Sequence, residues 1–249
     1  MPHRGVVADK NLYDADYKLL TVFPAGEHIN WHEVARLAGD LSDNMVMPEG
    51  LDPPGFISPF RPGRFTGRLV SNTAVELMRR SQLQLYRRTV GLVDPEGAHQ
   101  DLIGRLLPHC LSVKVLTARP RRYDTFSDRV LETYGVPLTV SDNPSAFSDC
   151  VLVVDPSGVR PSTAGLYTLT AADQAGEGTL SYLRVRLPGD AEPACGDVEA
   201  HIFLAALYEL SGSETAGALW ASEARLSGRL VSFEALSLEF DRMAAKVSV

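Results

Sequence analysis

The sequence predicts an α/β fold: a mainly parallel sheet flanked by helices, with an N-terminal addition and a C-terminal helical segment. Between Val90 and Val154, short apolar runs alternate with stretches of helical periodicity. Two of these runs, Val90–Asp94 and Val151–Val154, are apolar on both faces, as strands covered by two helical layers are. Residues 1–88 and 189–249 lack this alternation.

Tyr17–Phe23 is rich in apolar and β-branched residues and stops at Pro24, so it reads as a strand. Asn30 opens a helix, with Glu33 three residues on as in a capping box. Val34, Leu37, Ala38 and Leu41 then share one face. From Ser42 to Asn72 no periodicity is found, and Pro48, Pro53, Pro54, Pro59 and Pro62 break helices and central strands. Such a stretch is expected to be a lid, a partner-binding arm or a mobile segment, and Phe56, Phe60 and Phe65 favour a partly packed loop. Thr73 and Glu76 suggest the cap of a helix running to about Gln84.

The central unit follows. After the strand Val90–Asp94 comes a helix with Leu102, Ile103, Leu106 and Leu107 on one face, then a strand at Val113–Thr117. A helix from about Thr125 to Tyr134 presents Phe126, Val130, Leu131 and Tyr134, and Gly135 suits its stop. Leu138–Val140 is a third strand, Asn143–Phe147 a helical turn, and Val151–Val154 a fourth strand. These four strands are expected side by side and parallel. Leu166–Leu169 is a further short strand. Leu183, Val185 and Leu187 alternate with Arg184 and Arg186, which predicts an edge strand with one polar face.

Beyond it, Asp197 is placed to cap a helix through Leu210. Glu223–Val231 reads as a hairpin turning at Ser227 and Gly228, and Ser232 caps a closing helix bearing Phe233, Leu236, Phe240 and Met243. The organisation is therefore 1–88 as N-terminal strand, helix and Pro-rich loop, 89–188 as a Rossmann-like core, and 189–249 as a mostly helical segment.

In that architecture the turn after the first strand cradles a pyrophosphate. Here it is Asp94-Pro95-Glu96-Gly97-Ala98-His99. It has one glycine, a proline without an N–H and two carboxylates where an anion would sit. Asp94 and Glu96 are read as helix-capping and dipole-compensating groups, which need no ligand.

The text at Val113–Tyr123 (VKVLTARPRRY), at Leu138–Asp142 and at Ser148–Gly158 (SDCVLVVDPSG) resembles the second half of the NAD(P)-binding domain in the shikimate dehydrogenase and glutamyl-tRNA reductase group. The resemblance covers less than a third of the chain and its motifs are generic. It implies that the turn after the second strand meets the adenosine ribose, where arginines accept a 2′-phosphate. Thr117, Arg119, Arg121 and Arg122 stand there, so the dinucleotide implied is NADP. With Asp94, Gly97, Asp155, Ser157 and Gly158 they form the candidate cofactor-binding set. The catalytic segments of either enzyme family have no match.

Other chemistry is sparse. The net charge is −7, yet residues 61–130 hold 13 basic and 6 acidic side chains. That basic middle fits an anionic ligand or a surface paired with the acidic remainder. Phe60 and Phe65 interleave with Arg61, Arg64 and Arg68, but such a loop more often anchors to a core than binds nucleic acid. His28 and His32 do not complete a metal site. Cys110, Cys150 and Cys195 make no disulfide framework, which fits a cytoplasmic location, and Cys150 is expected in the core. No leader is read at the N-terminus, and no apolar run spans a bilayer. A homo-oligomer or a protein partner stays open.

Three functions remain: a non-catalytic or ligand-sensing protein with the dinucleotide loop lost and no cofactor expected; an NADP-dependent oxidoreductase with an atypical phosphate loop; and an adaptor binding a partner through residues 42–72. The shape of the cleft above Asp94, Thr117 and Asp155 separates the first two.

Overall fold

The computed structural model describes residues 5–23, 28–159, 165–172, 176–187 and 196–246. The chain divides into two compact units, Met1–Phe65 with Val185–Leu219, and Thr66–Arg184 with Trp220–Val249. The first contains β1 (Val6–Leu12), β2 (Ala15–Thr21), α1 (Trp31–Ala38) and, later in the chain, α5 (Ala200–Glu209) and α6 (Glu214–Gly217). The second contains nearly all of α2 (Phe65–Arg80), then β3 (Thr89–Val93), α3 (Gln100–Leu106), β4 (Ser112–Leu116), α4 (Asp124–Tyr134), β5 (Thr139–Ser141), β6 (Leu152–Asp155), β7 (Tyr167–Thr170) and β8 (Thr179–Arg184). It is completed by β9 (Glu223–Leu226), β10 (Arg229–Ser232) and α7 (Phe233–Lys246).

Eight strands form one sheet in the order β10-β9-β8-β7-β6-β3-β4-β5. All neighbours from β5 to β8 are parallel, and β9 and β10 add an antiparallel hairpin. Counted along the chain, the six parallel strands stand in the 3-2-1-4-5-6 order of Rossmann-type sheets, with the reversal between β3 and β6. The four strands expected side by side and parallel, β6-β3-β4-β5, are so.

Burial explains their continuous apolar character. Val90, Leu92, Val115, Leu152 and Val154 are inaccessible on one face of the sheet. Val93, Leu116 and Val153 point to the other and cluster with Phe147 and Cys150. Each such side chain contributes roughly 1.5–3 kcal/mol by leaving water. Gly91 lies under the Phe147 ring: a Cβ there would meet ring carbons at 3.0–3.1 Å. Among the described residues no helix joins β6 to β7 or β7 to β8. Further cover comes from elements distant in sequence, such as α7, whose Phe240 ring lies 5.6 Å from that of Tyr167.

Several expectations need correction. The helix expected to start at Thr73 starts at Phe65. Thr73 sits inside it, donating to Leu69 O and accepting from Ala221 N. Glu76 pairs with Arg79 and Arg80. The true cap is remote, because the Glu209 carboxylate accepts from the N–H groups of Gly63, Arg64 and Phe65. A carboxylate satisfies these orphan donors and the helix dipole together. The helix also ends at Arg80, short of Gln84.

The strand expected at the edge is internal, since β8 has β7 on one side and β9 on the other. The expected alternation holds, with Leu183, Val185 and Leu187 buried and Arg184 and Arg186 exposed, but only its start lies in β8, which ends at Arg184 and buries Thr179, Leu180 and Ser181 in succession. On α4 only Val130 of the expected face is buried, while Leu131 and Tyr134 are exposed. That helix precedes β5, an edge strand of only three residues.

In the first unit β2 pairs along its length with β1, a strand sequence periodicity did not reveal. The Tyr13–Asp14 turn has both φ angles positive, and Ser213 Oγ bonds Tyr13 O and Asp14 Oδ1. Asn30 Oδ1 does accept from Glu33 N, but the Glu33 carboxylate turns to Arg36 instead of closing the box. The helix stops at Ala38, leaving Leu41 exposed. Asp197 does not cap α5, whose N-cap is Glu199 without a side-chain bond. In the loop Ile57 and Phe65 are buried, Phe60 is half-buried, and Phe56 is exposed but stacked on His32 at 4.8 Å. The Ser227–Gly228 hairpin and the Ser232 cap of α7 are as expected.

Candidate functional site at the strand ends

In an open α/β sheet the ligand position lies at the carboxyl ends of the strands where their order reverses. Here that means the residues after β3, β4 and β6. Asp94 follows β3 and is 1% exposed. Its two carboxylate oxygens accept from Ala98 N at 2.9 Å and His99 N at 2.8 Å. These N–H groups immediately precede α3, where the phosphate-binding form of the turn presents its donors. The Tyr123 hydroxyl donates to the same carboxylate. Burial first, then this hydrogen bond, push the Tyr123 pKa far above the usual phenol range, so it stays a proton donor. Three donors thus converge on one short side chain.

The second turn closes onto the first. Thr117, buried after β4, accepts from Arg119 N at 3.1 Å and donates to Pro95 O at 3.3 Å. Arg119 pairs with Glu96 at 2.8 Å, and Arg122 Nη1 donates to Glu96 O at 2.8 Å. Gln100 Nε2 donates to Arg122 O. Gly97 has φ +68° and lies against Arg122, whose Cδ would stand 2.9 Å from an added Cβ. Arg119 thus meets the Glu96 carboxylate and Arg122 the Glu96 backbone carbonyl. Arg121 is exposed and stands outside this set.

The third turn forms its own knot. Asp155 is fully buried; one oxygen accepts from Ser157 Oγ at 3.0 Å and Gly158 N at 2.9 Å, the other from Thr170 Oγ1 at 3.2 Å. Gly158, at φ +68°, packs against Ala172 N, which leaves no room for a side chain. The backbone also closes over this end from α2, where a Cβ on Gly67 would lie 2.7 Å from Pro156 O.

Of the nine residues read as a cofactor set, Asp94, Gly97, Thr117, Arg119 and Arg122 come together, Asp155, Ser157 and Gly158 form a separate turn, and Arg121 joins neither. Tyr123, Gln100 and Thr170 were not singled out by the sequence. An aromatic hydroxyl directly before an acidic helix start was the one available signal for Tyr123.

The remaining chemistry is quiet. Cys110 and Cys150 are buried, and burial pushes each thiol up to about 12. They carry no thiolate at neutral pH; Cys195 lies outside the described residues. Among the described residues no cluster of three His, Cys, Asp or Glu side chains could hold a metal. Nor is any helix among them long and apolar enough to cross a membrane.

No family model matches the chain, and no curated protein is similar to it in sequence. Among solved structures it is similar to L-tryptophan dehydrogenase from Nostoc punctiforme, at 13% identity over 92% of this chain and 77% of that one, with a TM-score of 0.33. A likeness at that level leaves the architecture to be read from the strand order itself.

Proposed function

We propose that this chain is a non-catalytic or ligand-sensing protein in which the dinucleotide turn of a Rossmann-like sheet has become a structural joint. One observation carries the reading: the Asp94 carboxylate occupies the Ala98 and His99 N–H groups. A pyrophosphate needs those donors, and a buried carboxylate beside it would repel it. Of the arginines that would receive a 2′-phosphate, Arg119 is paired with the exposed Glu96 carboxylate and Arg122 donates to the Glu96 backbone oxygen, which weakens the NADP alternative less than Asp94 does. The resemblance to the shikimate dehydrogenase and glutamyl-tRNA reductase group then extends to architecture and not to cofactor use. The adaptor reading through residues 42–72 has less support, because the segment is tied down by Phe60 N to Met45 O and by buried Ile57.

Calorimetric titration of the purified protein with NAD and with NADP tests this. No micromolar binding of either is expected. Micromolar binding of NADP would restore the oxidoreductase reading, and micromolar NAD binding would show that the turn opens.

A further inference from the structure

We propose that this chain docks onto a second copy of itself, an acidic loop of one copy, residues 40–52, meeting a basic rim at the end of α2 on the other. The loop carries Asp40, Asp43, Glu49 and Asp52, and no lysine or arginine occurs between Arg36 and Arg61. All four carboxylates are exposed, and none is paired with a cation among the described residues. Leu41 and Leu51 are exposed among them. The base of the loop is held, since Ser58 N donates to Ser42 O and Phe60 N to Met45 O. It is thus a fixed surface and not a loose arm.

The rim has the opposite sign. Arg88 draws it together by donating to Met78 O, Ser81 O, Leu83 O and His109 O, and Leu111 N donates to Arg88 O. Arg79 and Arg80 share one carboxylate, that of Glu76. Arg87 lies 5.7 Å from the centre of the Tyr86 ring and has no carboxylate partner among the described residues. The other carboxylate bound to this end is Asp241, which accepts from Ser81 Oγ and Gln82 N. Four guanidiniums thus meet two carboxylates, in a chain whose net charge is −7. Apolar side chains stand beside them: Leu85 is 52% exposed, Tyr86 62% and Leu111 42%.

Loop and rim match in sign and in their mixture of charge and apolar surface. Grouped apolar side chains left in water mark contacts between proteins, and opposite charges select the partner. The loop carboxylates stay unpaired within their own chain, which leaves them for another copy. Nucleic acid fits less well, because Leu85 and Leu111 cannot stack on bases. Each copy offers one loop and one rim, so the contact is heterologous. It does not depend on the turn at Asp94, and the cofactor titration leaves it untouched.

Sedimentation velocity of the purified protein over rising concentration tests this, in about 0.05 M and about 0.5 M sodium chloride. At low salt the mean mass should rise above that of the monomer, and at high salt it should return. A loop variant, Glu49→Lys with Asp52→Lys, and a rim variant, Tyr86→Ala with Arg87→Glu, should each weaken association about tenfold. Circular dichroism checks that both variants fold. Mixed in equal amounts they should associate more strongly than either does alone, because one still carries a loop and the other a rim. A monomer at every concentration in low salt, association that either variant leaves intact, or a mixture no more associated than its components would overturn the contact. An oligonucleotide bound by the unaltered protein and not by the rim variant would assign the rim to nucleic acid and overturn the second copy as its occupant.

Discussion

The two ends of β3 solve one problem with opposite charges. At its start, Arg88 gathers carbonyl oxygens: Nε donates to Leu83 O at 2.7 Å, Nη1 to Met78 O and His109 O at 3.1 Å, and Nη2 to Ser81 O at 2.8 Å. At its finish, Asp94 gathers N–H groups from Ala98 and His99 and the Tyr123 hydroxyl. Helix ends leave carbonyls or amides without partners, and each charged side chain satisfies the set its sign allows. Arg88 ties the end of α2 to His109 in the segment before β4, and Asp94 ties its own turn to Tyr123, 29 residues on. The carboxyl end of β3, where this architecture usually takes a ligand, is therefore closed by an anion that collects donors, and its opposite end by a cation that collects acceptors.

The largest test of that contrast is Arg88→Ala, which strands carbonyls from two segments. A loss of about 3–5 kcal/mol is expected in urea unfolding. Arg88→Lys should recover little, since one ammonium cannot serve three directions. Asp94→Ala should cost about 3 kcal/mol, with Asp94→Asn intermediate because its amide oxygen still accepts. If Asp94→Ala were as costly as Arg88→Ala, the two joints would not differ in weight. Gly97→Ala comes next, at about 1–2 kcal/mol by thermal unfolding, for a positive φ and a Cβ against Arg122.

The smallest effect is a pH dependence beside the Arg88 end. Glu76 is hydrogen-bonded first by Arg79 and then by Arg80, and its pKa is lowered from 4.5. A carboxylate with a depressed folded pKa contributes stability above its unfolded pKa and loses it as pH falls through the folded value. Wild type should exceed Glu76→Gln by up to about 1 kcal/mol at neutral pH. That gap should close below pH 4.5 in acid titrations of unfolding. A gap that persists in acid would mean that Glu76 acts by packing.

The same contrast explains what was legible in the sequence. The parallel core was legible because its central strands, β3 and β6, are apolar on both faces and alternate with segments of helical periodicity. Asp94 was read as a capping group because it bonds within five residues. Glu209 was invisible as a cap because it lies 144 residues from Phe65, and the start of α2 was misplaced for that reason. The exposed face of α4 was misread because periodicity reports an apolar stripe and not the sheet available to receive it. At the site, the residue types were legible but their use was not, since Arg119 suggests a phosphate ligand and Glu96 a helix cap until the two are seen to bind one another.

The contact between Gly91 and the Phe147 ring has an evolutionary consequence. The space a side chain would need at the centre of β3 is taken by an aromatic ring from the turn before β6. These two positions therefore trade volume, and neither can enlarge alone. Any distant relative with alanine or valine at the first position should carry a smaller side chain at the second, so this pair is a marker by which descent from the same core can be recognised when overall identity has decayed.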